Sequence, residues 1–198
     1  MLGGLADYAT DRYAIAINSE SEELEALLAP LKSNTVTTII GFTELGNAGT
    51  LYNSAAVFHL GSVVGIYRKQ HPAINRSVYS PGRQAPIFCV GDLTFGIVTC
   101  NDSNFQQPAA DMASSGASAL FIPTNCGLPH EKADVVADVR AVDIKLATEN
   151  KVWAVRADVA GQADGMISYG SSAIVDPKGN FICKSLPMSE DLLIEDIK

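Results

Sequence analysis

The chain has 198 residues, of which 47% are hydrophobic and 18% charged, and it reads as a single domain over 1–198 that can bury one sizeable core. A net charge of −8 weighs against nucleic acid and anionic membranes as partners, since both ask for basic surface. The four cysteines are widely spaced with no CxxC pair, and no apolar run is long enough for a membrane span. The expectation is therefore a reduced, cytoplasmic protein without a metal, cofactor or disulfide framework.

In chain order, residues 1–18 are mixed, and no basic flank followed by an apolar run marks them as a leader. Ser19 and Glu22 have capping-box spacing, which predicts a helix over 22–31 with Leu24, Leu27 and Leu28 on one side. The β-branched run 35–42 predicts a strand, and 52–59 and 62–68 predict a hairpin joined by Leu60-Gly61. Residues 70–85 carry two prolines and a glycine and predict a long loop. Strands follow over 86–90 and 94–100 around Gly91-Asp92, then a helix over 106–115 and a strand over 117–123.

A second loop, 124–129, leads to the longest helix, 131–150, with Val135, Val139, Val142 and Leu146 as its apolar stripe. The remainder predicts a strand over 152–158, a glycine-rich loop over 160–170 and a strand over 171–176. A turn at 177–180 separates these from strands over 181–185 and 192–197. Helices mixed with hairpin-paired strands suit a sheet-rich α/β sandwich better than a purely parallel sheet.

Cys100 is the first candidate for chemistry. It ends an apolar strand and precedes a polar turn and a helix, an arrangement that lifts the thiol from the sheet toward N–H groups that favour thiolate. The plainer alternative is a buried strand-end cysteine. In the same turn, the backbone N–H of Asn101 could supply half of an oxyanion hole. Lys69, at the end of the strand 62–68, is either a solvated end residue or a cation that stabilises a thiolate and an oxyanion. His71 and His130 are the candidate bases of a Cys–His pair, but each sits beside a proline with no orienting acid in view. No GxGxxG or GxxxxGK[ST] is present, which argues against a nucleotide-binding domain.

The ordered series GFTE (41–44), GTLYNSAAVF (49–58), GIYRKQHP (65–72), SPG (80–82), FGIVTCNDSNF (95–105), FIPTN (121–125), VRAVDIKLATENKVWAVRAD (139–158) and YGSSAIVDPKGNF (169–181) resembles the nitrilase, or carbon–nitrogen hydrolase, superfamily. The resemblance implies an αββα sandwich and a Glu–Lys–Cys triad that cleaves a non-peptide C–N bond of a small amide, carbamoyl compound or nitrile through a thioester. It casts Cys100 as nucleophile, Lys69 as oxyanion-stabilising lysine and Asn101 as backbone donor, and leaves Asp102 structural.

Measured against that pattern, the chain is N-terminally short. The family's general-base glutamate lies upstream of anything in residues 1–18, so the first strands and helix of the sandwich are expected to be missing. Glu44 is the possible substitute base, although by motif it aligns with a different glutamate. The family's auxiliary glutamate after the lysine is also absent from 73–80. Asn125, His130 and Tyr169 are possible pocket residues, in loops expected to set specificity. Two functions follow as expectations: a hydrolase impaired by the missing base, or a catalytically inactive scaffold. A homo-oligomer is expected in either case, because missing elements would expose a sheet edge.

Overall fold

Extended runs between residues 17 and 68 build a four-stranded sheet in the computed structural model, which describes residues 2, 4–33, 35–73, 75, 77–128, 135–163 and 166–197. The chain divides into two compact units, Met1–Gln84 and Ala85–Lys198. The fold is mixed α/β, as the motif series implies, and in the six-stranded sheet of the second unit antiparallel pairs flank a parallel centre.

In the N-terminal unit the sheet order is β1 (Ile17–Asn18), β2 (Thr38–Leu45), β3 (Leu51–His59), β4 (Ser62–Arg68). β2 and β3 pair antiparallel from Thr38 opposite Phe58 to Leu45 opposite Leu51. The β3–β4 hairpin turns through Leu60 and Gly61 at φ 53° and 94°, because a two-residue turn matched to strand twist needs positive φ at both places. Helix α1 (Glu23–Leu28) buries Leu24 and Leu28 against Ile17, Phe42, Ala56 and Phe58.

Two expectations change in this unit. The helix ends earlier than predicted: Pro30 has no N–H to continue the ladder, and Ala29–Leu31 tightens into a 3₁₀ turn. Ser19 does not cap the helix either. Its hydroxyl donates to Glu44 Oε1 at 2.6 Å, a buried carboxylate with a stronger demand for donors than an exposed helix end.

The long loop after β4 is ordered by specific bonds. Tyr79 is buried; its hydroxyl accepts from the Ala6 N–H at 2.6 Å and shares a hydrogen bond with Thr43 Oγ1 at 2.7 Å. The Gly82 N–H donates to the Lys69 carbonyl at 2.8 Å, and a Cβ at Gly82 would overlap the carbonyl of Arg68.

In the C-terminal unit the six-stranded order is β13-β12-β9-β7-β6-β5. These strands are β5 (Ile87–Val90), β6 (Leu93–Ile97), β7 (Ala119–Thr124), β9 (Trp153–Asp158), β12 (Ala173–Val175) and β13 (Phe181–Lys184). β6, β7 and β9 run parallel, with Ile97 opposite Phe121 and Phe121 opposite Val155. Ile97, Leu120, Ile122 and Ala154 are fully buried, the near-continuous apolar character of central strands. Helix α2 (Gln106–Ser114) sets Met112 where a side chain at Gly96 would stand. The buried face of α3 (Val135–Asn150) carries Asp143, Leu146 and Ala147, whereas Val139 and Val142 are only half-buried.

The glycine-rich segment is not simply a loop. β10 (Ala160–Ala163) and β11 (Met166–Tyr169) pair antiparallel, and β11 also pairs with β8 (Gly127–Leu128). Small residues hide the period-two signal, and the pairing with β8 is non-local. Residues 192–197 form no strand, with Leu192 and Ile194 exposed; alternation alone does not hold a strand without a hydrogen-bonding partner.

Gly82→Ala should destabilise the chain by about 1–3 kcal/mol through overpacking at the strand end that carries Lys69. Thermal melting of the variant, with a fall of about 2–4 °C for each kcal/mol, checks this.

Candidate active site

β6 ends at Ile97, and the Val98 N–H still donates to the Phe121 carbonyl at 2.9 Å, which holds the chain to the sheet up to the turn. Thr99 is extended, and Cys100 then adopts φ 46° and opens a 3₁₀ turn, Cys100–Asn104. A left-handed non-glycine residue stores about 1–3 kcal/mol of strain and persists only where its surroundings fix it. Here the Ser103 hydroxyl donates to the Cys100 carbonyl at 2.7 Å, and the Asp102 N–H to the Thr99 carbonyl at 3.0 Å. The Asn104 amide donates to Asn101 Oδ1 at 3.1 Å, and Asp102 is fully buried. The polar turn expected between the thiol and the helix is this 3₁₀ turn, and α2 starts at Gln106 as the sequence predicts.

Beside Cys100 stands a residue the sequence reading gave no chemical role. Cys126 lies just beyond β7, its backbone N–H donates to Asp158 Oδ1 at 3.1 Å, and its thiol shares a hydrogen bond with Cys100. That bond and burial push the Cys126 thiol well above the usual cysteine range. The two side chains meet because β6 and β7 are parallel neighbours whose following segments leave the sheet at the same end.

Behind the turn lies a buried cation, also unflagged by the sequence. Arg156 on β9 donates through Nε and Nη2 to Asp143 of α3 at 2.8 and 2.6 Å, through Nη1 to Thr124 Oγ1 at 2.7 Å, and through Nη2 to Ser103 Oγ at 3.1 Å. Burial pulls its pKa down, but the bonds from Asp143 prevail, so the guanidinium is held charged. Its field reaches both Cys100 and Cys126. Apolar periodicity could not reveal it, because both partners are charged residues at buried positions, Arg156 beside Ala154 on the inward face of β9 and Asp143 on the buried face of α3.

Of the other candidates, Lys69 is 3% exposed in the N-terminal unit, so it is not a solvated strand end. Its N–H donates to the Asn53 carbonyl at 2.8 Å. Glu44, on β2, is fully buried and accepts from Ser19 and Ser54 hydroxyls, each at 2.6 Å, and from Arg68 Nε and Nη2 at 2.9 and 2.7 Å. Burial raises its pKa, but these four donors outweigh burial and hold the carboxyl below its ordinary value. Arg68 in turn stacks over Tyr52, 4.3 Å from the ring centre.

Asn125 accepts from Ser168 Oγ at 2.8 Å, which ties the loop after β7 to β11, where Tyr169 is half-buried. His130 lies outside the described residues, and His71 is half-buried. Among the described residues, no three His, Cys, Asp or Glu side chains cluster as a metal site, and no helix is long and apolar enough to cross a membrane.

The carbon–nitrogen hydrolase family model matches residues 4–198, spanning both units, and the chain belongs to that family. A nitrilase of Pyrococcus abyssi is 28% identical over 187 residues, covering 93% of this chain and 68% of that protein. The fold matches Saccharomyces cerevisiae Nit3, a nitrilase-superfamily member, with a TM-score of 0.76, at 22% identity over 92% of this chain and 69% of that one. It also matches a mutant of the amidase from Nesterenkonia sp. AN1, in which the acetamide moiety of fluoroacetamide is bound covalently at the active-site cysteine. That match has a TM-score of 0.71 and 19% identity, and covers 84% of this chain and 62% of that one.

Because folding favours the ionised form of Glu44, the folded state binds fewer protons than the unfolded chain as pH falls below the ordinary value of 4.5. Stability from this group should be complete above that value and lost on acidification through the lower folded pKa. Acid titrations of the wild type and Glu44→Gln, followed by circular dichroism, should show a flatter acid limb in the variant. Asp143→Ala should cost about 3–5 kcal/mol in denaturant unfolding by stranding the Arg156 charge, while a paired Asp143→Leu, Arg156→Met change recovers much of that loss.

Proposed function

We propose that the chain hydrolyses the C–N bond of a small amide, carbamoyl compound or nitrile, with Cys100 as nucleophile. The observation that carries this is Cys100 itself, held at φ 46° where a buried parallel strand breaks into a tight turn, in a chain of this family. Strain of that kind clusters at reacting residues, where it presents a side chain that relaxed backbone would withhold. The amidase with a covalent adduct at its active-site cysteine supports the same assignment by analogy.

In this reading the Cys100 thiolate attacks the carbonyl carbon, the C–S bond forms and the carbonyl π electrons move to oxygen. The Asn101 backbone N–H and the Lys69 ammonium are assigned to that oxyanion. Collapse breaks the C–N bond, the amine leaves with a proton, and water cleaves the thioester to release acid and restore the thiol. The burial of Lys69 supports a role beyond a solvated end. Asn125 and Tyr169 are proposed as pocket residues, and association with further copies of the chain belongs to the same proposal.

Glu44 favours a second reading. Its carboxylate already receives Ser19, Ser54 and Arg68, and its lowered pKa suits an ion-pair anchor better than a general base. A chain without another base would acylate and stall, or serve as a non-catalytic scaffold.

Incubation with fluoroacetamide and a panel of simple amides, read by peptide mass mapping and ammonia release, decides between them. The proposal expects an acyl group on Cys100, repeated turnover, none of either in Cys100→Ser, and a loss of about 10²–10³ in kcat for Lys69→Met. A single acylation without further release supports the stalled form. No preference for Cys100 over Cys89, Cys126 and Cys183 overturns the assignment.

A further inference from the structure

We infer that Cys100 and Cys126 form a reversible oxidation site, in which a hydroperoxide oxidises Cys100 and Cys126 closes a disulfide that a dithiol reductant reopens. The inference rests on the reading of Cys100 as the reactive thiol, and it adds a partner that this reading does not use. Both cysteines are unbridged and half-buried, so a small hydroperoxide has access to them. Their side chains are in hydrogen-bonding contact although 25 residues separate them in sequence. The contact is built by the fold: parallel pairing of β6 and β7 brings the two segments out of the sheet together, and Asp158 anchors the Cys126 backbone at 3.1 Å.

The environment also separates the roles of the two thiols. The contact with Cys100 and burial raise the pKa of the Cys126 thiol, and the buried Arg156 guanidinium adds positive potential beside both. Thiolate character at Cys100 is what a peroxide selects. The Cys100 thiolate attacks the peroxide O–O bond, forms an S–O bond and, with one proton, yields sulfenic acid and water (an alcohol from an organic hydroperoxide). The Cys126 sulfur then attacks the Cys100 sulfur, the S–S bond forms, and the S–O bond breaks with loss of water that carries the Cys126 proton. The remaining two cysteines are internal controls, since Cys89 on β5 and Cys183 on β13 lie on opposite edge strands of the sheet.

The test treats the full chain with stoichiometric hydrogen peroxide and reads intact mass, free thiols and a chymotryptic map; trypsin will not serve, because no Lys or Arg separates the two cysteines. The expected result is loss of two hydrogens, a peptide link between Cys100 and Cys126, and full recovery of both thiols with dithiothreitol. Cys126→Ser and Cys126→Ala should instead gain oxygen on Cys100, trapped by dimedone as sulfenic acid and then lost irreversibly to sulfinic acid. Oxygen gained on wild-type Cys100 without the link, or a link that involves Cys89 or Cys183, overturns the inference, and the wild-type map needs no variant to fold. None of these readouts requires turnover. A disulfide in a chain that cleaves no amide would sink the hydrolase reading alone, and turnover without the disulfide would sink only this inference.

Discussion

The C-terminal unit is organised around one buried guanidinium. Arg156 reaches from the central sheet to the long helix through Asp143, to the end of β7 through Thr124, and to the turn that follows Cys100 through Ser103. An isolated charge in that position would cost several kcal/mol, so its ligands are obligatory rather than ornamental. Each ligand comes from a different segment, and satisfying the charge therefore fixes those segments relative to one another within the unit. The Ser103 hydroxyl that receives Arg156 also donates to the Cys100 carbonyl, which puts the strained residue one hydrogen bond from the charge.

That connection explains how a left-handed cysteine is tolerated. Strain at Cys100 persists because the backbone on either side is held, by Val98 to β7 and by Ser103 and Asp102 within the turn. The N-terminal unit uses the same kind of device in a milder form. Glu44 is fully buried, but its partner Arg68 keeps nearly half its side chain in solvent and lies over Tyr52. There the carboxylate is the group that must be satisfied, and two serine hydroxyls complete its shell. In both units a buried ionised group recruits side chains that local rules would have placed elsewhere, as Ser19 shows by leaving the helix cap.

Much of the fold was legible wherever a local signal was strong. The hairpin at Leu60-Gly61, the strand breaking at Cys100, the long helix ending at Asn150 and the family motif series all rest on residues near each other in sequence. Errors fell where pairing is non-local or the pattern weak, in the short strands at 160–169 and the tail at 192–197, and the parallel pairing of Ile17 with Glu44 left no local signal to read. Of the candidate site, the strand break at Cys100 was legible, whereas the burial of Lys69 was not, because a lysine at a strand end reads by itself as solvated. Cys126 and Arg156 were invisible in the sequence because their significance is a contact and not a spacing.

Residue order by itself determined the family, the strand-and-helix grammar and the place of Cys100 at a strand break, because these follow from short-range periodicity, turn chemistry and the succession of motifs. Only the tertiary structure decided which polar groups are buried and what answers them: Glu44 bound by four donors, Asp143 beneath Arg156, and Cys126 against Cys100. The physical reason is that the cost of burying a charge or a thiol depends on neighbours brought in from distant segments. A single position in the chain carries no record of its neighbours until the sheet has paired.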